Sequence, residues 1–461
     1  MENIGNSSYI EETVRKQREF FMTGKTRSLE FRINSLKRLK KVIEDKQGSI
    51  AEALKKDLNK DPLEAYMCET GLVLDEIGYH IKHLSKWMKE KRVRTPLAQF
   101  PSKSFISPEP CGVVLIMSPW NYPVQLCLEP LVGAISAGNC AVLKPSAYAP
   151  ESGSIVKEII EEAFSPEYVS VIEGGRKENQ ALFGQKFDHI FFTGSVEVGK
   201  EAMAAAAKNL IPVTLELGGK SPVIIDKTAD IKLAAKRVAF GKVINAGQTC
   251  VGPDYVLIEE EVRDDFIEAF GKALKEFFPD GDMSSMANII SEKHYLRKKE
   301  LLENQKAAIG GEWDDSRRFV EPTVLIDVDP GSPVMQEEIF GPILPVMTWR
   351  DIGEAVDFVN SRPKPLAFYL FTTDDSIERR ILDSCSFGGG CINDTIVHLA
   401  TPYMGFGGVG NSGMGQYHGR KSFDTFTHYR SILKKSNKID LPMRYMPYTE
   451  SKFNMIKRFL K

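Results

Sequence analysis

Residues 189–219 read HIFFTGSVEVGKEAMAAAAKNLIPVTLELGG. The first run, HIFFTG, is apolar and aromatic and stops at a glycine. The middle, VEVGKEAMAAAAK, is dominated by alanine, glutamate and lysine, which favour a helix. The last, PVTLELGG, returns to apolar and β-branched residues and stops at two glycines. Strand, helix and strand in one short stretch make a βαβ unit, which implies parallel pairing. Strands that stay apolar throughout are those covered by helices on both faces.

The unit has neighbours of the same kind. CGVVLIMSP (111–119), CAVLKPS (140–146) and VSVIEGG (169–175) are short apolar runs ending in turn residues. Helical stretches separate the runs, at roughly 123–137, 150–163, 178–184 and 197–208. A second series follows: PVIIDK, DYVLIEE, TVLIDV, ILPVMTW, AFYLFTT and GGCINDT, with helices at 229–244, 261–278 and 351–360. Ahead of both lies a helical front over 9–90, where Leu29, Ile33, Leu36, Leu39, Val42 and Ile43 recur at helix spacing. Residues 91–110 are proline-rich and read as a connector or an edge hairpin. The expected fold is α/β, with two domains behind a helical front. Seven glycines in residues 405–419 require tight backbone packed closely against something else.

A chain of 461 residues suggests two or three lobes, with core enough to need no disulfides. A net charge of −2 argues against a nucleic-acid protein, which would carry a basic excess. Seven cysteines with no zinc or redox spacing fit reduced thiols in a cytoplasm. His80 and His83 can share a helix face, but without a third ligand they read as surface or core residues rather than a metal site. No secretory leader is evident, and the run VVLIM is too short to cross a bilayer. The basic, amphipathic tail KFNMIKRFLK reads most simply as a packed terminal helix, with peripheral membrane contact as the alternative.

Parallel sheets bind ligands at the carboxyl ends of their strands. Those ends carry Asn121, Lys144, Gly194 and the run Glu216-Leu217-Gly218-Gly219. Lys144 suits ribose hydroxyls or a phosphate, and reads equally as a snorkelling surface lysine. The turn GSVEVG (194–199) is neither G-x-G-x-x-G nor a P-loop, yet it offers helix N-terminal N–H groups to a pyrophosphate. Cys250 lies in NAGQTCVGPDY (245–255), with no histidine beside it. A lone cysteine is usually an inert small hydrophobe. As a nucleophile it needs a thiolate and a base. Glu216 is a candidate base for activating water, and the Asn121 amide a candidate oxyanion donor. EEIFGP (337–342) adds a carboxylate and an aromatic beside a tight Gly-Pro. Taken singly, each of these also has a structural reading.

Together they have a pattern. PWNYP (119–123), LELGGKSP (215–222), GQTC (247–250), EEIFGP (337–342) and GFGGVGNSGMG (405–415), in this order, resemble the motif series of the aldehyde dehydrogenase superfamily. GCINDTIVHLATPY and YHGRKSFDTFTHYR resemble its class 3 branch, and the likeness runs from about residue 30 to 445. The resemblance implies two Rossmann-like doubly wound domains and a small β arm that bridges subunits. Residues 1–90 and 111–218 would bind the dinucleotide, and 219–410 would form the catalytic domain. The arm would take 91–110 and 411–440, leaving 441–461 as a tail.

It also implies roles. Cys250 would attack an aldehyde carbon, with the oxyanion held by the Asn121 side chain and the Cys250 N–H. After hydride transfer to NAD or NADP, Glu216 would activate water to hydrolyse the thioester to an acid. Lys144 would contact the adenine ribose. Thr193, Gly194, Ser195 and Gly199 would meet the pyrophosphate, and Leu217 would line the cofactor cleft. Glu338 would bind the nicotinamide ribose, Phe340 would pack by the nicotinamide, and Tyr122 would line the aldehyde entrance. No metal is expected. The implied substrates are medium- or long-chain aliphatic or aromatic aldehydes, and the implied assembly is a homodimer. Two positions depart from the family. Ala147 stands where many members have a glutamate that grips the adenine-ribose hydroxyls, which implies tolerance of NADP. Gly405 stands where a proline usually precedes Phe-Gly-Gly. The competing readings are a CoA-acylating dehydrogenase, a cysteine hydrolase without cofactor, and a non-catalytic use of the fold.

Overall fold

The computed structural model describes residues 2–460, so Met1 and Lys461 lie outside the described residues. The strand Val113–Met117 is buried at every position, as an apolar run between two helical layers must be. It sits near the centre of a six-stranded sheet. Beside it on one flank lie Cys140–Lys144 and then Val169–Val171, and on the other His189–Gly194 and then Val213–Leu217. All these neighbours run parallel. The opening stretch is therefore one βαβ unit of this sheet, its helix spanning Val196–Ala207. A sixth, short strand completes the edge. Gly413–Met414, from the glycine-rich stretch, adds antiparallel to Val213–Leu217, with Gly413 opposite Glu216.

The second sheet has seven strands in the order Lys306–Ile309, Thr323–Ile326, Ile343–Trp349, Tyr255–Glu259, Pro222–Ile225, Ala367–Phe371, Gly389–Ile392. It is parallel except for its first strand, which pairs antiparallel with the second. The switch of strand order on either side of Val113–Met117 and of Pro222–Ile225 is the doubly wound pattern, which opens a crevice at the carboxyl ends. The proline-rich segment forms a hairpin, Lys91–Val93 with Ser102–Pro110, and Thr427–Lys435 pairs along the whole second strand.

The helical front consists of Glu2–Met22, Leu29–Asp45, Gln47–Leu58 and a run from Pro62 to Trp87. It begins earlier than the apolar periodicity shows. In Leu29–Asp45 the buried Leu36, Leu39, Val42 and Ile43 form one stripe, and Ser28 caps the start by accepting from the Phe31 N–H. Each such fully buried side chain contributes about 2 kcal/mol through removal of apolar area from water. His80 is buried and bonded to Glu76 and Ser136, so it is part of this packing.

The terminal helix Glu450–Phe459 exists, but the packed reading of it does not hold. Phe453 is 56% and Met455 41% exposed, so these two apolar side chains are not covered by the body. Amphipathic spacing specifies a helix and says nothing about what lies against it. Among the described residues no helix is long and apolar enough to cross a membrane.

Candidate active site

Three loops meet where the carboxyl ends of the first sheet face the amino ends of the second. The first follows Val113–Met117 and carries Asn121 and Tyr122, both buried. The second follows the helix Ile231–Val243 and carries Cys250. Asn245, Ala246 and Gly247 have φ of 51°, 52° and 69°, three left-handed residues in succession. Such a turn is costly for asparagine and alanine and persists only where its surroundings hold it. Here Gly247 tolerates no side chain, since a Cβ would stand 2.3 Å from the Gly341 carbonyl. The Asn245 side chain donates to the carbonyls of Asn121 (2.8 Å) and Gln248 (3.1 Å). Gln248 in turn donates to Asn245 and Asn288 and accepts from the Ile290 N–H. This buried net aims the residues just ahead of Cys250.

Cys250 is partly exposed, unlike Cys127, Cys140 and Cys385, which are buried. Its thiol is pushed up to about 12, chiefly by burial and then by the negative charges of Glu338 and Glu216. The backbone N–H groups of Val251 and Cys250 oppose this by donating toward the sulfur. Glu216 is buried in Val213–Leu217, with neither carboxylate oxygen hydrogen-bonded. Burial alone holds its carboxyl well above the ordinary range. A buried carboxyl without partners is a costly group, and such groups concentrate at sites of proton transfer. The Asn121 Nδ2 donates to the Gln248 carbonyl at 3.0 Å, which leaves its second N–H free. Tyr122 bonds through its hydroxyl to Thr249 at 2.6 Å, directly before Cys250.

The remaining expected residues line the crevice at the first sheet. Lys144 ends its strand buried, donating to the carbonyls of Pro145 (2.8 Å) and Gly174 (2.7 Å), so it is not a surface lysine. Thr193 has a buried hydroxyl with no partner. At Gly194 a Cβ would come within 2.8 Å of the Phe192 ring. Ser195 caps the helix Val196–Ala207 by accepting from the Val198 N–H. At Gly199 a Cβ would stand 2.6 Å from a Leu217 methyl, so this glycine lets helix and strand approach and Leu217 fills the seam. A glycine turn, a capped helix N-terminus and an unpartnered hydroxyl suit an anionic pyrophosphate. The residues thus fit a nicotinamide dinucleotide.

The third loop holds Glu338 and Phe340. The Glu338 carboxylate lies against Gly218, where a Cβ would be 2.1 Å from it. Its carboxyl is pushed up to about 8 by burial and by Asp254. Phe340 has φ of 52° and stands edge-on to Trp120 at 5.3 Å between ring centroids. Three residues outside the expected set clamp this strained loop. Arg297 donates to the carbonyls of Glu338 (2.7 Å) and Ile339 (3.1 Å), and Asp254 accepts from the Ile339 N–H (2.8 Å). Lys220 pairs with Asp254 and donates to the carbonyls of Val334 and Glu337, both at 2.9 Å. Lys220 and Asp254 adjoin LELGG and GQTC in sequence; Arg297 is signalled by nothing around it.

Two doubly wound sheets meeting over a partly exposed thiol, beside a crevice that fits a dinucleotide, define an α/β nicotinamide-dependent oxidoreductase. Residues 3–432 match the model of the aldehyde dehydrogenase family. The chain is 49% identical over 456 residues to a 4,4'-diaponeurosporen-aldehyde dehydrogenase of Staphylococcus aureus, covering 98% of this chain and 99% of that one. It is 46% identical over 431 residues to the dimeric NADP-preferring aldehyde dehydrogenase of Rattus norvegicus, covering 93% and 95%. Further relatives carry family 3 names, as the class 3 resemblance implies. The solved substrate-bound Staphylococcus aureus AldH superposes with a TM-score of 0.96 at 48% identity, covering 98% of this chain and 99% of that chain. The chain belongs to the aldehyde dehydrogenase family. It is an NAD(P)-dependent oxidoreductase acting on aldehydes.

Ala147 bears on the choice of cofactor. It is exposed in the turn after Lys144, so no carboxylate stands there to repel a 2′-phosphate. Turnover with NADP as well as with NAD is expected in parallel steady-state assays. Strict rejection of NADP would sink this expectation.

Proposed function

We propose that the enzyme oxidises medium- or long-chain aliphatic or aromatic aldehydes to carboxylic acids by a hydrolytic route through a cysteine thioester. The observation that carries the reading is Glu216, a buried carboxyl with both oxygens unpartnered, whose charge is felt at Cys250. Cys250 gives up its thiol proton to water and attacks the aldehyde carbon as the thiolate. The oxygen that becomes negative is received by the free N–H of Asn121 and the Cys250 N–H, donors held ready before the charge develops. The bound dinucleotide supplies the hydride acceptor. Thr193, Gly194, Ser195 and Gly199 cradle its pyrophosphate, and Leu217 lines the cleft beside them. Lys144 and Glu338 hold its riboses, and Phe340 packs by its nicotinamide. Glu216 then takes a proton from water, which attacks the acyl carbon and releases the acid. Tyr122, fixed to Thr249, lines the entrance and favours apolar substrates.

A CoA-acylating enzyme would need no such base. Acid equimolar with NAD(P)H in the absence of coenzyme A is the expected product; a strict requirement for coenzyme A would overturn the hydrolytic reading. An aldehyde series of graded chain length tests the substrate class. The proposal extends to organisation. Residues 1–90 with 111–218 form the cofactor domain, 219–410 the catalytic domain, and 91–110 with 411–440 an arm that joins two copies as a homodimer. Seven free cysteines support a reducing, cytoplasmic setting.

A further inference from the structure

The helical front contributes a buried ion pair that no motif announces. Lys60 and Glu69 are both 0% exposed, with Nζ and Oε1 2.6 Å apart. The pair reaches the Asn121 loop at four points. Lys60 Nζ donates to the Asn121 carbonyl at 3.1 Å and stands 4.3 Å from the centre of the Tyr122 ring. The second Glu69 oxygen accepts from the N–H groups of Val124 (2.8 Å) and Gln125 (3.2 Å), at the start of the helix Gln125–Ala137. Glu69 lies in Tyr66–Thr70, a π-helical turn inside the run from Pro62 to Trp87, and such turns recur at functional sites. Next to it, Glu64 accepts from the Asn245 N–H at 2.9 Å. The front thus grips both the Asn121 loop and the turn ahead of Cys250.

Stability alone does not account for the pair. Taking two charges out of water offsets most of their attraction, and apolar residues of similar volume usually hold a fold as well or better. What apolar residues lack is directional hold on the backbone of residues 121–125. The Asn121 carbonyl already receives Asn245 Nδ2 at 2.8 Å, and Lys60 is its second donor. Two donors on one carbonyl fix the peptide plane from which the Asn121 side chain springs. An oxyanion donor displaced by a fraction of an ångström loses much of its effect.

We propose that Lys60 and Glu69 are positioning residues for aldehyde oxidation: as a buried ion pair they hold the Asn121 loop so that its side-chain amide meets the developing oxyanion. This rests on the reading of Asn121 as an oxyanion donor. The test is a double-mutant cycle on the full-length enzyme, reading the rate of the NAD(P)H burst after mixing with a saturating aldehyde. Lys60→Met with Glu69→Gln removes both charges of the pair together, so neither is left buried without the other. Its burst is expected to slow about tenfold, with cofactor affinity and melting temperature close to wild type. Asn121→Ala alone is expected to slow the burst about 100-fold. On that background the charge-removing change is expected to cost nothing more, because its effect passes through Asn121. An undiminished burst in the Lys60→Met/Glu69→Gln enzyme, or the same tenfold loss on the Asn121→Ala background, overturns the proposal. A wild-type burst in Asn121→Ala instead sinks the oxyanion reading beneath it. Should the neutral pair fail to fold, Lys60→Arg, which keeps the charge balance but not the point contact, goes through the same cycle with the same outcomes.

Discussion

Cys250→Ala is expected to abolish aldehyde oxidation while leaving NAD(P) bound with wild-type affinity. Removing a nucleophile that no neighbouring group replaces costs about 10⁴-fold or more in turnover. The substitution leaves the pyrophosphate turn untouched. The groups that fit the pyrophosphate, Thr193 to Gly199, belong to the other sheet, and the loop around Cys250 is held by Asn245 and Gln248 rather than by the thiol. Fluorescence titration for cofactor binding and NAD(P)H absorbance for turnover separate the two properties. Oxidation surviving in the variant would mean that another of the seven cysteines, or none, carries the chemistry. Of the remaining six, three are buried, burial pushes Cys68 and Cys111 up to about 12, and burial also raises Cys391, which belongs to the strand Gly389–Ile392.

Glu216→Gln is expected to give a burst of NAD(P)H of about one equivalent followed by a stall, since the thioester forms but water is no longer activated. Loss of a general base costs about 10²- to 10⁴-fold in the step it serves. The pH dependence follows from the direction of its shift. Burial holds the Glu216 carboxyl above the usual range, so its base form, the one that accepts from water, appears at higher pH than an ordinary carboxylate's. As pH rises through that raised value the base form accumulates and deacylation accelerates. The wild-type steady-state rate should therefore climb from acid toward alkaline pH, and Glu216→Gln should lose that limb. The burst phase should keep a separate alkaline rise, because the Cys250 thiol is itself held high. Steady-state turnover in the variant equal to wild type at neutral pH would remove Glu216 from the reaction.

The Glu216 charge disfavours the Cys250 thiolate, and burial raises both groups. The Lys60–Glu69 pair sits behind the site as a fixed, self-compensated charge.

Much of this was legible along the chain. The alternation of apolar runs with helical stretches specified parallel α/β sheets, because a strand apolar on both faces has only one stable setting, between helices. Cys250, Asn121 and Glu338 lie in loops at strand or helix ends, and Glu216 lies near the end of the strand Val213–Leu217. Local chemistry was enough to place the turn 194–199 at a helix N-terminus. The hairpin at 91–110 showed in its prolines, although its partner strand, Thr427–Lys435, did not.

Other features depended on contacts between distant residues, and no local pattern encodes those. Arg297 clamps the Phe340 loop across 42 residues, and Lys60 reaches the Asn121 carbonyl across 61. The three left-handed residues at Asn245–Gly247 are unfavourable alone and exist only because Glu64, Asn121 and Gln248 hold them. The tail's amphipathic spacing called for a helix, and only the tertiary structure left its apolar side uncovered. Periodicity and turn chemistry act over a few residues, so the sequence by itself determined the elements and the order of the motifs. Burial and long-range hydrogen bonding arise when those elements pack, so the tertiary structure alone decided which charges are desolvated, which carboxylate is left without partners, and what holds the reacting loops in place.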